Sequence, residues 1–155
     1  MISVDDYLWY VDEALDGMIA IVTKLGDDKA NRRPDIPGAN SPYAILTHCL
    51  GVMEYWGGHV VAGRPSHRDR QAEFRATGPV DDLVRRTEAA RARLRDDVAG
   101  LDAEAPPRNM PGGADDELPI GRTRGGALFH IYEELAQHRG QMEGYRDLIL
   151  APWRQ

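Results

Sequence analysis

A single cysteine, Cys49, stands in the whole chain, which excludes an internal disulfide and any multi-cysteine zinc site. Lysine is nearly missing. Lys24 and Lys29 are the only two, and the other basic residues are arginines. There is no basic excess: the formal net charge is −6, which argues against a broad phosphate-binding surface and hence against a nucleic-acid partner. No apolar run is long enough to span a bilayer, so no membrane partner is expected. The opening residues, MISVDDYLWYVDEALD, carry acids where a signal peptide carries positive charge, and the cytoplasm is the expected compartment. Nothing reads as a strand, and no internal repeat or low-complexity tract occurs.

The 155 residues, 42% of them hydrophobic and 28% charged, suit one domain with one sizeable core, spanning residues 1–155. Four segments carry helical periodicity. The first runs from about Val4 to Leu25, with Ser3 as N-cap and Gly26 ending it; its apolar stripe is Leu8, Val11, Leu15, Met18, Ile19, Val22 and Leu25. A loop with two prolines follows, GDDKANRRPDIPGAN. Ser41 and Pro42 open the second helix, which extends to about Ala62 with Ile45, His48, Val52, Tyr55, Trp56 and His59 on one face. Gly51, Gly57 and Gly58 lower its intrinsic propensity.

The stretch from Gly63 to Gly78 reads as an arginine-rich excursion with at most one helical turn. The third helix spans about Val80 to Ala99 on a seam of Leu83, Thr87, Ala90, Leu94 and Val98. A long loop from Asp102 to Arg124 precedes the fourth, about Gly126 to Leu150. Four amphipathic helices of this length predict an all-α four-helix bundle.

The chemistry concentrates in the last helix, LFHIYEELAQHRGQMEGYRDLI. Its core face is set by Leu128, Ile131, Leu135, Met142, Tyr145 and Ile149. At about 100° per residue, His138 falls within about 20° of Ile131, and Glu134 lies one turn earlier on the flank of that face. Glu134 and His138, at i and i+4, therefore project two metal-competent groups inward. His48, on the apolar face of the second helix, supplies a third. Two imidazoles and one carboxylate from facing helices can bind a divalent ion and leave a position open. A metal would also offset the several kcal/mol that a buried unpaired carboxylate costs.

The plainer reading stands beside it. An inward histidine often satisfies one core hydrogen bond, and Glu134 can sit at the rim or pair with Arg122 or Arg124. His59 lies about 16 Å along the helix from His48, too far to share an ion, and reads as a polar cap. His67 falls in the arginine-rich loop and is expected at the surface. His130 is a rim residue, a group supporting the ligands, or a proton shuttle. Cys49 points roughly 100° away from His48 and reads as packing.

The Ser41-Pro42 helix start, His48 within that helix, and HIYEELAQHRGQMEGYRDLI as the last helix together resemble the DinB-like superfamily. More narrowly they look like its DUF664 branch, related to mycothiol-dependent maleylpyruvate isomerase. That branch carries H-x-x-E-E-x-x-x-H-x-G-[QH], matched here by His130, Glu133, Glu134, His138, Gly140 and Gln141. The resemblance implies a metal triad of His48, Glu134 and His138, holding zinc, or nickel or manganese. It implies a metal-dependent transferase joining a low-molecular-weight thiol, mycothiol first, to an electrophilic substrate; His130, beside the triad in sequence, is the catalytic candidate. A metal-dependent hydrolase and a non-catalytic metal-binding stress protein stay open beside that. A homodimer is expected from the resemblance and from the apolar aromatics Trp9 and Trp56.

Overall fold

The computed structural model describes residues 2–112 and 121–151. Four long helical stretches pack around one hydrophobic core, and no strand occurs among the described residues. Helix α1 spans Val4–Ala30, with Ser3 and Asp6 forming a reciprocal capping box at its start. Gly26 breaks the helical dihedrals at φ 68°, a conformation that costs glycine little, and helical bonding resumes up to Ala30. The buried stripe of α1 contains Ile21, whereas Ile19 is only half-buried. The start of the expected loop is therefore helical, and the apolar stripe is shifted at that one position.

Helix α2 spans Pro42–Met53, with the Ser41 hydroxyl accepting from the Ala44 N–H. It continues as a π-helix, α3, over Glu54–Val61. The second helix thus departs from the expectation in two ways. It is buried on nearly all sides rather than on one face, since Leu46, Thr47, Cys49, Leu50 and Met53 are covered as well. Its second half is wound more widely, which carries the bulky Trp56 into the core. Gly57 permits close packing there, because a Cβ would lie 2.6 Å from a methyl of Leu94.

A four-residue helix, α4, spans Arg70–Glu73 within the arginine-rich excursion. Helix α5 spans Val80–Asp97 and buries the expected seam of Leu83, Thr87, Ala90 and Leu94, continued by Val98. Residues 102–112 and 121–123 contain no helix. They are tied down by the N–H groups of Arg108 and Gly125, which donate to the carbonyls of Val60 and Ala103. Residues 113–120 of the long loop lie outside the described residues. Helix α6 spans Arg124–Leu150 and is capped by Thr123. It buries Leu128, Ile131, Leu135 and Met142, while Tyr145 and Ile149 are only partly covered. No helix among the described residues is long and apolar enough to cross a membrane.

Candidate metal centre

His48 sits in the second turn of α2, 2% exposed, and faces α6. Its Nε2 lies 3.3 Å from Oε2 of Glu134. The same oxygen lies 3.4 Å from Nε2 of His138, one turn further along α6. The rings of His48 and His138 meet edge to face, with centroids 5.1 Å apart. One ligand atom from each residue falls within 4.8 Å of the others. Tetrahedral bonds of about 2.0–2.1 Å to nitrogen and oxygen put neighbouring ligand atoms about 3.3–3.4 Å apart. The two distances on Glu134 match that spacing, so the donor set fits a small divalent ion.

Burial is graded across the three. His48 is enclosed, whereas Glu134 and His138 keep about a quarter of their side chains exposed, 23% and 22%. His138 therefore flanks the core face instead of lying at its middle. Arg122 and Arg124 do not hold Glu134; Arg124 Nε donates to the carbonyl of Pro106. The open side of the cluster is solvent-facing, as an accessible metal requires.

Electrostatics fit the same picture. Hydrogen bonds from His138 and then His48 hold the Glu134 carboxyl well below the usual carboxylate range, against the effect of burial. For His48, burial acts to lower the pKa, but hydrogen bonds to Glu134 and Glu73 outweigh it and the net shift is upward. For Glu73, burial pushes upward while hydrogen bonds from His48 and Arg68 win, and the carboxyl titrates below its ordinary value. Burial drives the Cys49 thiol well up, which makes it an inert packing residue.

Glu73 is the residue that sequence reasoning missed. It ends α4, and its Oε2 lies 2.8 Å from Nδ1 of His48. Arg68 grips the same carboxylate from outside, Nε to Oε1 at 2.8 Å and Nη2 to Oε2 at 3.1 Å. Phe74, the next residue, stacks on the His48 ring at 4.4 Å. Room for this arrangement comes from Gly51, where a Cβ would lie 1.9 Å from Oε1 of Glu73. Residues 64–74 are thus a wall of the site. Arg33, in the loop after α1, comes within 3.5 Å of the Phe74 carbonyl, while Arg32 pairs with Asp28. A cleft of about 590 Å³ lies between α2 and α5, lined by Arg68 and Glu73 and not by the triad.

His138 is oriented too. Its Nδ1 lies 2.9 Å from the Gln141 side-chain oxygen, and Gln141 Nε2 donates to the Tyr145 hydroxyl at 3.0 Å. His130 stands one turn before Glu134, with Nδ1 3.2 Å from Glu133 and its ring edge-on to Trp56 at 4.8 Å. Ligand atoms of His130, Glu133 and Glu134 also gather within 4.8 Å. His59 is a structural cap: its Nδ1–H donates to the Arg64 carbonyl at 2.7 Å. His67 is exposed.

Residues 10–142 match the family model of the DinB superfamily. The chain belongs to the DinB superfamily. DinB proteins are a metal-binding family, which agrees with the histidine–glutamate cluster between α2 and α6 of this one. No curated protein matches this DinB chain.

Proposed function

We propose that this DinB protein is a cytoplasmic, metal-dependent transferase that joins a low-molecular-weight thiol, mycothiol, to an electrophilic carbon. His48, Glu134 and His138 hold the ion, zinc by preference for this donor set. The observation that carries the reading is the shared oxygen of Glu134, 3.3 and 3.4 Å from two imidazole Nε2 atoms on a solvent-facing side of the bundle. The resemblance of His130 through Gln141 to the DUF664 branch supports the choice of thiol.

His48, Glu134 and His138 would hold a divalent ion there, which would lower the pKa of a coordinated thiol and so supply thiolate near neutral pH. Charge counting agrees with one anionic ligand. Glu73 is balanced by Arg68, so Glu134 alone stands against the two charges of an ion, leaving one positive charge for a thiolate. His130, oriented by Glu133 and beside Glu134, carries the thiol proton to solvent. The sulfur then bonds to the electrophilic carbon, and the leaving group departs with its bonding pair.

The test is an activated aryl chloride offered with mycothiol, bacillithiol or glutathione, with and without metal. Thiol consumption that requires the metal, fastest with mycothiol, supports the reading. A metal-loaded protein that consumes no thiol removes it. The His130–Glu133 pair favours metal-dependent hydrolysis as the second reading, because it offers a general base for water.

A further inference from the structure

Glu73 and Arg68 form a device that neither touches the metal position nor belongs to the triad. We infer that Glu73, clamped by Arg68, is a positioning residue that keeps the His48 proton on Nδ1 and so aims the Nε2 lone pair at the point shared by Glu134 and His138. The inference rests on the metal-centre reading above, and its decisive measurement needs no metal.

An ionised Glu73 only accepts hydrogen bonds, so the atom 2.8 Å away, His48 Nδ1, must carry the proton. The competing acceptor, Glu134, is further from the opposite nitrogen at 3.3 Å. His48 is 2% exposed and Glu73 9% by side chain, so water does not compete for this bond. Left alone, Glu73 could swing. Two hydrogen bonds from Arg68 fix the carboxylate plane, and Phe74 holds the imidazole plane. Gly51 leaves the space in which the carboxylate lies. Such a carboxylate behind a ligating histidine raises the basicity of the ligand and fixes its direction. His138 receives only a neutral amide, Gln141, in the equivalent place, so the two histidines are unequal ligands.

Replacing Glu73 by Leu removes the acceptor and keeps a similar bulk. Nη2 of Arg68, 3.4 Å from Nδ1, is then the polar atom left facing that nitrogen, and it only donates. Nδ1 must give up its proton to accept, and the proton moves to Nε2, where it faces the Glu134 carboxylate and blocks the lone pair. Glu73→Gln keeps an acceptor, because an amide oxygen in the place of Oε2 accepts from both Nδ1 and Arg68 Nη2. In the metal-free protein, at a pH above the titration of His48, long-range 1H–15N spectra should show an Nδ1–H tautomer for the wild type and Glu73→Gln and an Nε2–H tautomer for Glu73→Leu. Chelator competition with zinc should show affinity reduced by about 10–100-fold in Glu73→Leu and much less in Glu73→Gln. A purely structural role would leave the tautomer of Glu73→Leu as in the wild type.

The inference fails if Glu73→Leu keeps the wild-type tautomer, or if Glu73→Gln binds zinc no better than Glu73→Leu. A wild type that binds no metal would remove the metal-centre reading, and the tautomer comparison would still decide this one.

Discussion

Oε2 of Glu134 and Nε2 of His138 lie 3.4 Å apart on successive turns of α6, and the same oxygen faces Nε2 of His48 at 3.3 Å. A single carboxylate oxygen thereby ties two helices together across the site. While His48 carries a proton on both ring nitrogens, Glu134 is the anion that two imidazoles share in the metal-free protein. Glu134→Gln keeps the shape and removes that charge. Zinc affinity should fall by at least about tenfold, and thiol turnover should fall with it. Turnover and affinity equal to wild type would mean that Glu134 is not a ligand.

The dependence on pH has opposite signs with and without metal. Glu134 and Glu73 titrate below the ordinary 4.5, so their contribution to stability is present above that value and is lost as pH falls through their folded-state values. His48 titrates above 6.5, so its contribution is present below that value and is lost as pH rises through the folded-state value. Metal-free protein should therefore melt highest between those two ordinary values, 4.5 and 6.5. Metal binding needs unprotonated imidazoles, so the rise in Tm on adding zinc should grow as pH climbs through the folded-state value of His48, above 6.5. A rise that shrinks as pH climbs would contradict the imidazole ligands.

Gly51 touches the site without carrying a functional group. Gly51→Ala puts a methyl where Oε1 of Glu73 now lies, 1.9 Å from it, and the carboxylate must leave His48. Zinc affinity should drop about as far as in Glu73→Leu, and Tm should fall modestly as a buried ion pair is displaced. Calorimetric titration beside a melting curve separates the two effects. Unchanged affinity would show that Glu73 finds His48 by another route.

Much of this was legible in the sequence. Ser41 and Pro42 mark the start of α2, the Leu83-to-Val98 seam is the buried side of α5, and the i, i+4 spacing of Glu134 and His138 brings them to His48. What escaped has physical reasons. A helix of four residues is too short to show periodicity, so α4 and its Glu73 were hidden in a polar stretch. The one available signal was Phe74, an isolated aromatic among charges, which marks the point where that stretch anchors. The π-helix was also invisible, because an i+5 ladder leaves no distinctive apolar repeat. The three glycines that looked like weak helix positions are close-approach positions against Glu73, Leu94 and Arg64.

The oligomer expectation changes its footing. Trp56 is 1% exposed and already buried within the bundle, so it no longer argues for a partner. Trp9 remains 58% exposed beside Tyr10, and a homodimer now rests on that surface. Light scattering at micromolar concentration should give twice the chain mass, and Trp9→Glu should return it to the monomer. A wild-type monomer would end the expectation.

The most direct test of the whole account is the metal content of untagged protein, measured by mass spectrometry for the wild type, His48→Ala and His138→Ala after equilibration with zinc and gel filtration. The wild type should retain about one ion per chain, because one triad supplies three ligands and an open position. Each variant should retain almost none, yet remain helical by circular dichroism, since the core does not depend on the ion. Equal zinc in all three proteins, or none in the wild type, would contradict a metal centre at His48, Glu134 and His138.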